Sequence, residues 1–480
     1  MTTELLFPTN FSLHDLDECV QGSKDFNRKK NQIRLFIHYL LTRMIQANGS
    51  GGNPVDYVQI PQPLVRKILG NDYRMVIAAM KAKGLVKTED YTKYNYDTYE
   101  GIIKPYFSKN RGICISYRIV AHSVTKHDIS DNIQLMCKAQ ELRRLSIPDE
   151  EIFKWLNSCI DKLQIRDDEE ALEAFRQFFA ERYVQYITAE TFIQYFNSNS
   201  THLLIDDFGL RFHAKLAVLK KVFRRHLIFI NHPKQQLVNI DCVNSQPLIY
   251  SIANSKTIKL LVPECMEAAD IFRRSENEES FIRYREDCFK GIVYERVIDQ
   301  WMQQYSQAIS RDMAKKVFLI AAYDCYKKSK DLDKKVKRIV DKKLPAHPEG
   351  NRQARRNFSL LAFKVYKELY PALWDINFEI KKLDWSHLGA NPMKPHSSNC
   401  LLAQRLESAV LLRLVGAELM KNGITCGTIH DSFMVPAKYT DKVAGIIRKV
   451  FKKLGVNTPP PLEVEDFSEK DKSEKRYQWK

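Results

Sequence analysis

Apolar residues at Ile33, Phe36, Ile37, Leu40, Leu41 and Ile45 recur every three to four positions and predict a helix over 31–46. A break at 49–54, rich in Gly and closed by Pro54, ends it. Residues 57–60 alternate like a short strand, 63–69 and 72–83 read as two helices split by a Gly-Asn turn, and 85–87 and 113–119 read as strands joined by a long Tyr- and Lys-rich loop. From 130 to 200 the pattern is helical throughout. A basic helix is expected over 215–225, carrying Lys215, Lys220, Lys221, Arg224 and Arg225. Residues 236–241 form a short strand that ends in Asp241, and the chain then turns into a helix with Pro247 near its first turn. Further helices are predicted over 310–323, 358–370, 374–382, 399–422 and 440–454. The stretch 424–436, apolar on both sides of His430-Asp431-Ser432, reads as a tight β-hairpin with His430 and Asp431 near its tip. The expected fold class is α+β and mostly helical.

Residues 1–28 lack periodicity and read as a flexible arm, 327–356 as a basic loop, and 457–480, opened by three prolines, as a mobile charged tail. Between them the expected division is 29–125, a helical segment over 126–204, and a larger body over 205–456. Composition adds one strong signal: 75 Lys and Arg against 58 Asp and Glu give a net charge of +17, which favours a polyanionic partner. Ten widely spaced cysteines with no Cys-x-x-Cys argue against a zinc ribbon or iron–sulfur site and fit a reducing cytoplasm. No signal peptide and no membrane span is expected, because no apolar run is long enough.

The order helix, strand, helix, turn, helix, strand, wing, strand over 29–125 resembles winged helix-turn-helix domains. The resemblance makes 72–83 the recognition helix, with Arg74, Lys81 and Lys83 toward nucleic acid, and gives the loop's Lys93, Lys104, Lys109 and Arg111 to phosphates. The plainer alternative is a scaffold that touches no base.

Asp241 at a strand end is by itself more often a helix cap than a metal ligand. Its place in the chain changes that. In the helix over 310–323, Arg311, Lys315, Leu319 and Tyr323 fall four apart and share one face, two cations toward one end and an aromatic at the other. The His430-Asp431 hairpin follows. Acid, cationic helix with Arg-x-x-x-Lys-x-x-x-x-x-x-x-Tyr spacing, then His-Asp: this order resembles the palm and fingers of family A DNA polymerases and of bacteriophage- or mitochondrial-type single-subunit RNA polymerases, over roughly residues 205–455. Leu319, where DNA-synthesising members carry an aromatic, and Asp324, where a Gly follows the Tyr, depart from the pattern.

The resemblance implies a right-hand polymerase core working with two Mg²⁺ ions (Mn²⁺ as a substitute). Asp241, Asp431 and the main-chain carbonyl of Cys242 would be metal ligands, and His430 would orient the primer end or a phosphate. Arg311 and Lys315 would meet the triphosphate, with Leu319, Tyr323 and Gln246 around the nucleotide. Arg211, Arg224, Arg225 and Gln404 would lie along nucleic acid. Gln246 stands five residues after Asp241, where DNA polymerases use a Glu steric gate and RNA polymerases a Gly. His-Asp-Ser in place of His-Asp-Glu, with Leu319, points to DNA-directed RNA or primer synthesis, and the compact size and winged-helix front end fit a replication or transcription enzyme of a mobile element or phage. The implied partners are a DNA template, the nascent strand and nucleoside triphosphates. The alternatives are a family A-like DNA polymerase, a non-enzymatic winged-helix replication initiator or transcription regulator, and, more distantly, an HD-type phosphohydrolase.

Overall fold

The computed structural model describes residues 4–20, 26–49, 57–88, 92–94, 101–103, 115–121, 124–143, 148–180, 188–198, 203–325, 331–340, 352–391, 394–467 and 474–479. The fold is mostly helical α+β and divides into two compact units, one of residues 1–149, 156–204 and 213–235, the other of 150–155, 205–212 and 236–480. No helix among the described residues is long and apolar enough to cross a membrane.

In the first unit, the stretch expected as an arm contains a strand and a helix. Glu4–Pro8 pairs antiparallel with Val124–Asp128, and Leu5 and Phe7 are fully buried. The Leu6 amide donates to His38 Nδ1 at 2.9 Å, and burial drops the His38 imidazole to about 4. A three-residue apolar run is too short to show a period, so pairing with a distant strand decides its state. The helix Phe26–Gly49 leads to a three-stranded antiparallel sheet ordered Val58–Ile60, Ile115–Ile119, Val86–Thr88. Helices Gln62–Leu69 and Tyr73–Ala82 lie between its first two strands in sequence, and Gly70, at φ +83°, makes the turn joining them. The loop read as a wing holds a small hairpin, Thr92–Tyr94 with Gly101–Ile103. Lys104, Lys109 and Arg111 lie outside the described residues.

Two further expectations are corrected here. The segment 130–200 is not helical throughout: Leu163–Ile165 is a strand paired with Leu227–Phe229. The basic helix over 215–225 is broken at Leu219 and Lys220, which are extended; Lys215–Val218 is one α-turn and Lys221–His226 a 3-10 segment. Lys215 is buried, donating to the Phe196 carbonyl at 2.7 Å above that residue's ring. A cation satisfied inside the unit this way cannot belong to a continuous solvent stripe.

The second unit is built on a five-stranded antiparallel sheet ordered Gly427–Ile429, Ser432–Pro436, Leu237–Cys242, Leu462–Asp466, Glu474–Arg476. Its last two strands come from the segment expected as a mobile tail. Leu462 is buried and the Val243 amide donates to the Pro461 carbonyl at 2.9 Å; the Leu462/Val464 alternation is real but short and sits in charge. The basic stretch expected as a loop holds a helix, Leu332–Val340, with Leu332, Val336 and Ile339 buried at helical spacing, and the next helix, Arg352–Leu369, starts within it. The long helix before the hairpin runs from Ser398 to Lys421, with a π-helical stretch over Ser408–Val415. Such stretches are rare and gather at functional sites.

Arg405 pins the loop 205–212 to this helix. Its guanidinium, almost wholly buried, donates to the carbonyls of Phe208 (3.0 Å), Asp207 (2.8 Å) and Leu388 (2.7 Å) and pairs with Glu264 at 2.8 Å. Removing it strands three carbonyls and a carboxylate. Arg405→Met should therefore cost about 3–5 kcal/mol of unfolding free energy, read in urea melts; a loss below about 1 kcal/mol would show that the loop is held by other means.

Candidate active site

The register of the central strand makes the site. Asp241 is directly opposite Ser432, and Asp431 is the next residue, so the two acids' α-carbons lie roughly 6 Å apart by ordinary antiparallel spacing. Ile429 pairs with Ser432, leaving His430 and Asp431 as a two-residue turn. His430 sits at φ +51°, the left-handed conformation such turns require at their first central position. The hairpin over 424–436 is therefore present, with both residues at its tip. Asp241 and Asp431 are half-buried. Burial raises the Asp431 carboxyl, opposed by its own backbone, Arg211, Lys315 and a hydrogen bond from Ser245.

A third carboxylate stands with them. Glu407, only 1% exposed, is paired with Arg211 and accepts from Ser245 Oγ at 3.0 Å. Burial raises its pKa, against the pull of Arg211 and with Asp431 adding to it. The Cys242 thiol is pushed well up by burial, and further by the charges of Asp241, Asp431 and Glu407. The groups here that could hold a metal are oxygens: the carboxylates of Asp241 and Asp431 and the Cys242 carbonyl. Hard oxygens few in number suit Mg²⁺, which keeps much of its water. Among the described residues no three His, Cys, Asp or Glu side chains form a metal cage by themselves.

Arg311–Tyr323 forms the cationic helix, its N-terminus capped by Ser310 accepting from the Met313 amide. Ala314, Val317, Phe318, Ala321 and Ala322 are buried, while Arg311 and Lys315 are exposed and Leu319 and Tyr323 half-buried on the remaining face. Arg311 lies over the Tyr294 ring, donates from Nε to Glu295 at 3.2 Å, and from Nη2 to Asn244 Oδ1 at 3.3 Å, in the turn after Asp241. The helix's other end is fixed: Asn399 donates to the Ala322 carbonyl (2.9 Å) and Lys381 Nζ to the Asp324 carbonyl (2.8 Å). Tyr323 has its phenol raised well above the usual range by burial. Gln246, half-buried, is in the first turn of the helix Ser245–Ser251.

The remaining expected site residues have partners of their own. Arg211 faces Glu407 rather than solvent, and Gln404 packs where Gly209 lacks a side chain; a Cβ there would sit 2.5 Å from Gln404 Oε1. Arg74, Lys81, Lys83, Arg224 and Arg225 belong to the first unit. Of these, Lys83 pairs with Glu18, Lys81 donates to Thr88 Oγ1 at 2.8 Å, Arg74 donates to the Tyr73 hydroxyl at 3.1 Å, and Arg225 donates to His226 Nε2 at 3.1 Å. Glu407, Ser245 and Glu295 were given no role from sequence. For Glu407 a signal existed: it is the one acid in the run 406–412, whose only other polar residue is Ser408.

No protein-family model matches the chain, and no curated protein matches it. A solved structure, the POL domain of Pol1 from M. smegmatis in complex with DNA primer-template and dNTP, is similar over 70% of this chain and 72% of its own, at 12% identity and a TM-score of 0.25. That is a weak likeness to a DNA polymerase domain, and at this TM-score it carries no argument.

The anchor at Lys381 gives a pH signature. Burial lowers its pKa from 10.5 to about 7, so between those values the unfolded chain binds the extra proton and stability climbs with pH. Below about 7 the folded state bears the full cost of a buried charge. Lys381→Met removes this dependence, so wild-type stability minus variant stability should rise from pH 7 to 9, by at most about 1.4 kcal/mol per pH unit. Parallel stability curves across that window would rule it out.

Proposed function

We propose that the chain is a template-directed nucleic-acid polymerase, a nucleotidyltransferase whose centre is Asp241 and Asp431. One observation carries this reading: Asp241, near the end of its strand, and Asp431, in the hairpin turn beside it, adjoin a helix whose Arg311 reaches the turn after Asp241. Nucleotide joining needs a 3′-hydroxyl to attack an α-phosphate in line while pyrophosphate leaves, so catalysis is mostly positioning and charge stabilisation. Asp241, Asp431 and the Cys242 carbonyl would hold Mg²⁺, which when bound stabilises charge on the attacking and leaving oxygens. Lys315 and Arg311 neutralise the triphosphate, Arg311 exchanging Glu295 for phosphate oxygens. Tyr323 supports the nascent base pair, Leu319 borders the nucleotide, and His430, held at the hairpin tip, orients the primer end.

RNA or primer synthesis on a DNA template is the product we favour, from Ser432 after His430-Asp431 and from Leu319. DNA synthesis is the second reading: a Gln246 side chain that crowds a ribose 2′-hydroxyl favours it, whereas one that hydrogen-bonds that hydroxyl favours RNA. The sheet and helix pair of residues 58–119 support a winged-helix reading of that part, with DNA as its partner.

The test is incorporation of labelled NTPs or dNTPs, in parallel, on primed and unprimed templates with Mg²⁺. Wild type should incorporate one class, and Asp241→Ala or Asp431→Ala should lose it by a factor of about 10³ or more while remaining folded. A wild type inert under every condition, or aspartate variants as active as wild type, would defeat the reading.

A further inference from the structure

We propose that Glu295 is an internal competitor for phosphate: with Asn244 it occupies one edge of the Arg311 guanidinium, and a ligand long enough to engage both Arg311 and Lys315 must displace it. Glu295 thereby holds down the affinity for a triphosphate and for the pyrophosphate it releases. The inference deepens the nucleotidyl-transfer reading and rests on it.

Arg311 opens the helix Arg311–Tyr323. Its Nε donates to Glu295 Oε1 at 3.2 Å and its Nη2 to Asn244 Oδ1 at 3.3 Å, with the guanidinium carbon 5.4 Å from the centre of the Tyr294 ring. Nε and Nη2 form an edge that a guanidinium offers to a carboxylate or phosphate in a paired contact. Here two oxygens of the protein itself hold that edge. They come from different elements: Glu295 from the helix Val293–Tyr305, and Asn244 from the turn after Asp241, in the left-handed conformation at φ +54°.

The hold is weak. Charge-assisted N–H···O bonds run about 2.7–2.9 Å, and the bonds at the other end of this helix, to the Asp324 and Ala322 carbonyls, are 2.8 and 2.9 Å. Both Arg311 bonds are longer. The second polar atoms of its partners, Glu295 Oε2 and Asn244 Nδ2, are buried with no hydrogen-bond partner among the described residues, a cost that a pair built only to hold the fold removes. The Arg311 and Glu295 side chains are 50% and 44% exposed, and an ion pair so placed shifts an equilibrium by about fivefold at most. A phosphate on the same edge brings two charge-assisted bonds, so the exchange favours the ligand against a resistance of that size.

Spacing decides which ligands meet the resistance. Lys315 is exposed one turn further along, roughly 6 Å along the axis. A single phosphate settles at Lys315 and leaves Arg311 paired, whereas a chain of phosphates reaches both. Competition of this kind raises KM without slowing the chemical step, and Glu295 retakes its edge as pyrophosphate leaves.

Titration calorimetry on the full chain at fixed Mg²⁺ tests this with inorganic tripolyphosphate and orthophosphate, and nucleotide KM is read in parallel by incorporation on a primed template. Glu295→Gln keeps the shape and removes the charge. It should tighten tripolyphosphate binding about fivefold, lower KM by a similar factor, and leave orthophosphate within about twofold. On an Arg311→Gln background the same change should move tripolyphosphate by less than about twofold, since the competition has lost its object. A pair that only steadies the helix predicts the opposite sign, weaker tripolyphosphate binding by Glu295→Gln. That result, or affinity equal to wild type, overturns the proposal; so does an equal gain for orthophosphate, or a gain that persists without Arg311. Should Glu295→Gln not fold, Asn244→Gly decides alone. Glycine accepts the left-handed turn, and freeing Nη2 should tighten tripolyphosphate about twofold; no gain overturns the proposal. A wild type that incorporates nucleotide while its tripolyphosphate affinity ignores Glu295 costs this inference alone. A wild type that neither incorporates nucleotide nor binds tripolyphosphate defeats the nucleotidyl-transfer reading, and this inference with it.

Discussion

The second unit depends on one register. Leu237–Cys242 pairs with Ser432–Pro436 so that Asp241 meets Ser432, and a slip of one residue would turn every side chain of the strand to the other face. Leu237, Val238, Ile240 and Cys242 on one strand and Phe433, Met434 and Val435 on the other are buried on both faces, so the fit of their side-chain volumes holds the register. Hydrophobic packing thus fixes where two charged groups stand, nearly two hundred residues apart in the chain. Leu462–Asp466 on the opposite edge of the central strand locks it from the other side.

Around that register the site is assembled from pieces fixed at one end. The cationic helix is tied at its C-terminal end by Asn399 and Lys381, while Arg311 at its N-terminal end rests on Glu295 and Asn244. The buried half of the site is the reverse: Arg211, Glu407 and Ser245 are held by main-chain bonds, close packing and left-handed turns. Under the proposed nucleotidyl-transfer reading, fixed acids with exposed cations nearby would admit a polyanion with little reorganisation.

Much of this was readable from sequence where a local pattern carried it. The hairpin over 424–436, the four-residue spacing from Arg311 to Tyr323 and the strand ending at Asp241 each announce themselves within a dozen residues. What was not readable depends on partners far away. Glu4–Pro8 and Leu462–Asp466 are strands only because other strands accept them, and their charged or proline-rich surroundings mimic mobile ends. Lys215 and Arg211 look like solvent cations until the Phe196 carbonyl and Glu407 are brought beside them. The break at Leu219–Lys220 and the π-helical stretch after Glu407 have no local signature, because tertiary contacts override propensity there.

The shared metal centre is tested most directly by a double-mutant cycle on Mn²⁺ binding, using Asp241→Asn, Asp431→Asn and the two combined, with a nucleoside triphosphate present. A centre held jointly by both carboxylates predicts that either single change removes most of the binding and that the second change adds almost nothing. Independent, additive losses, or Mn²⁺ binding that neither change disturbs, would mean that the two acids do not hold a metal together.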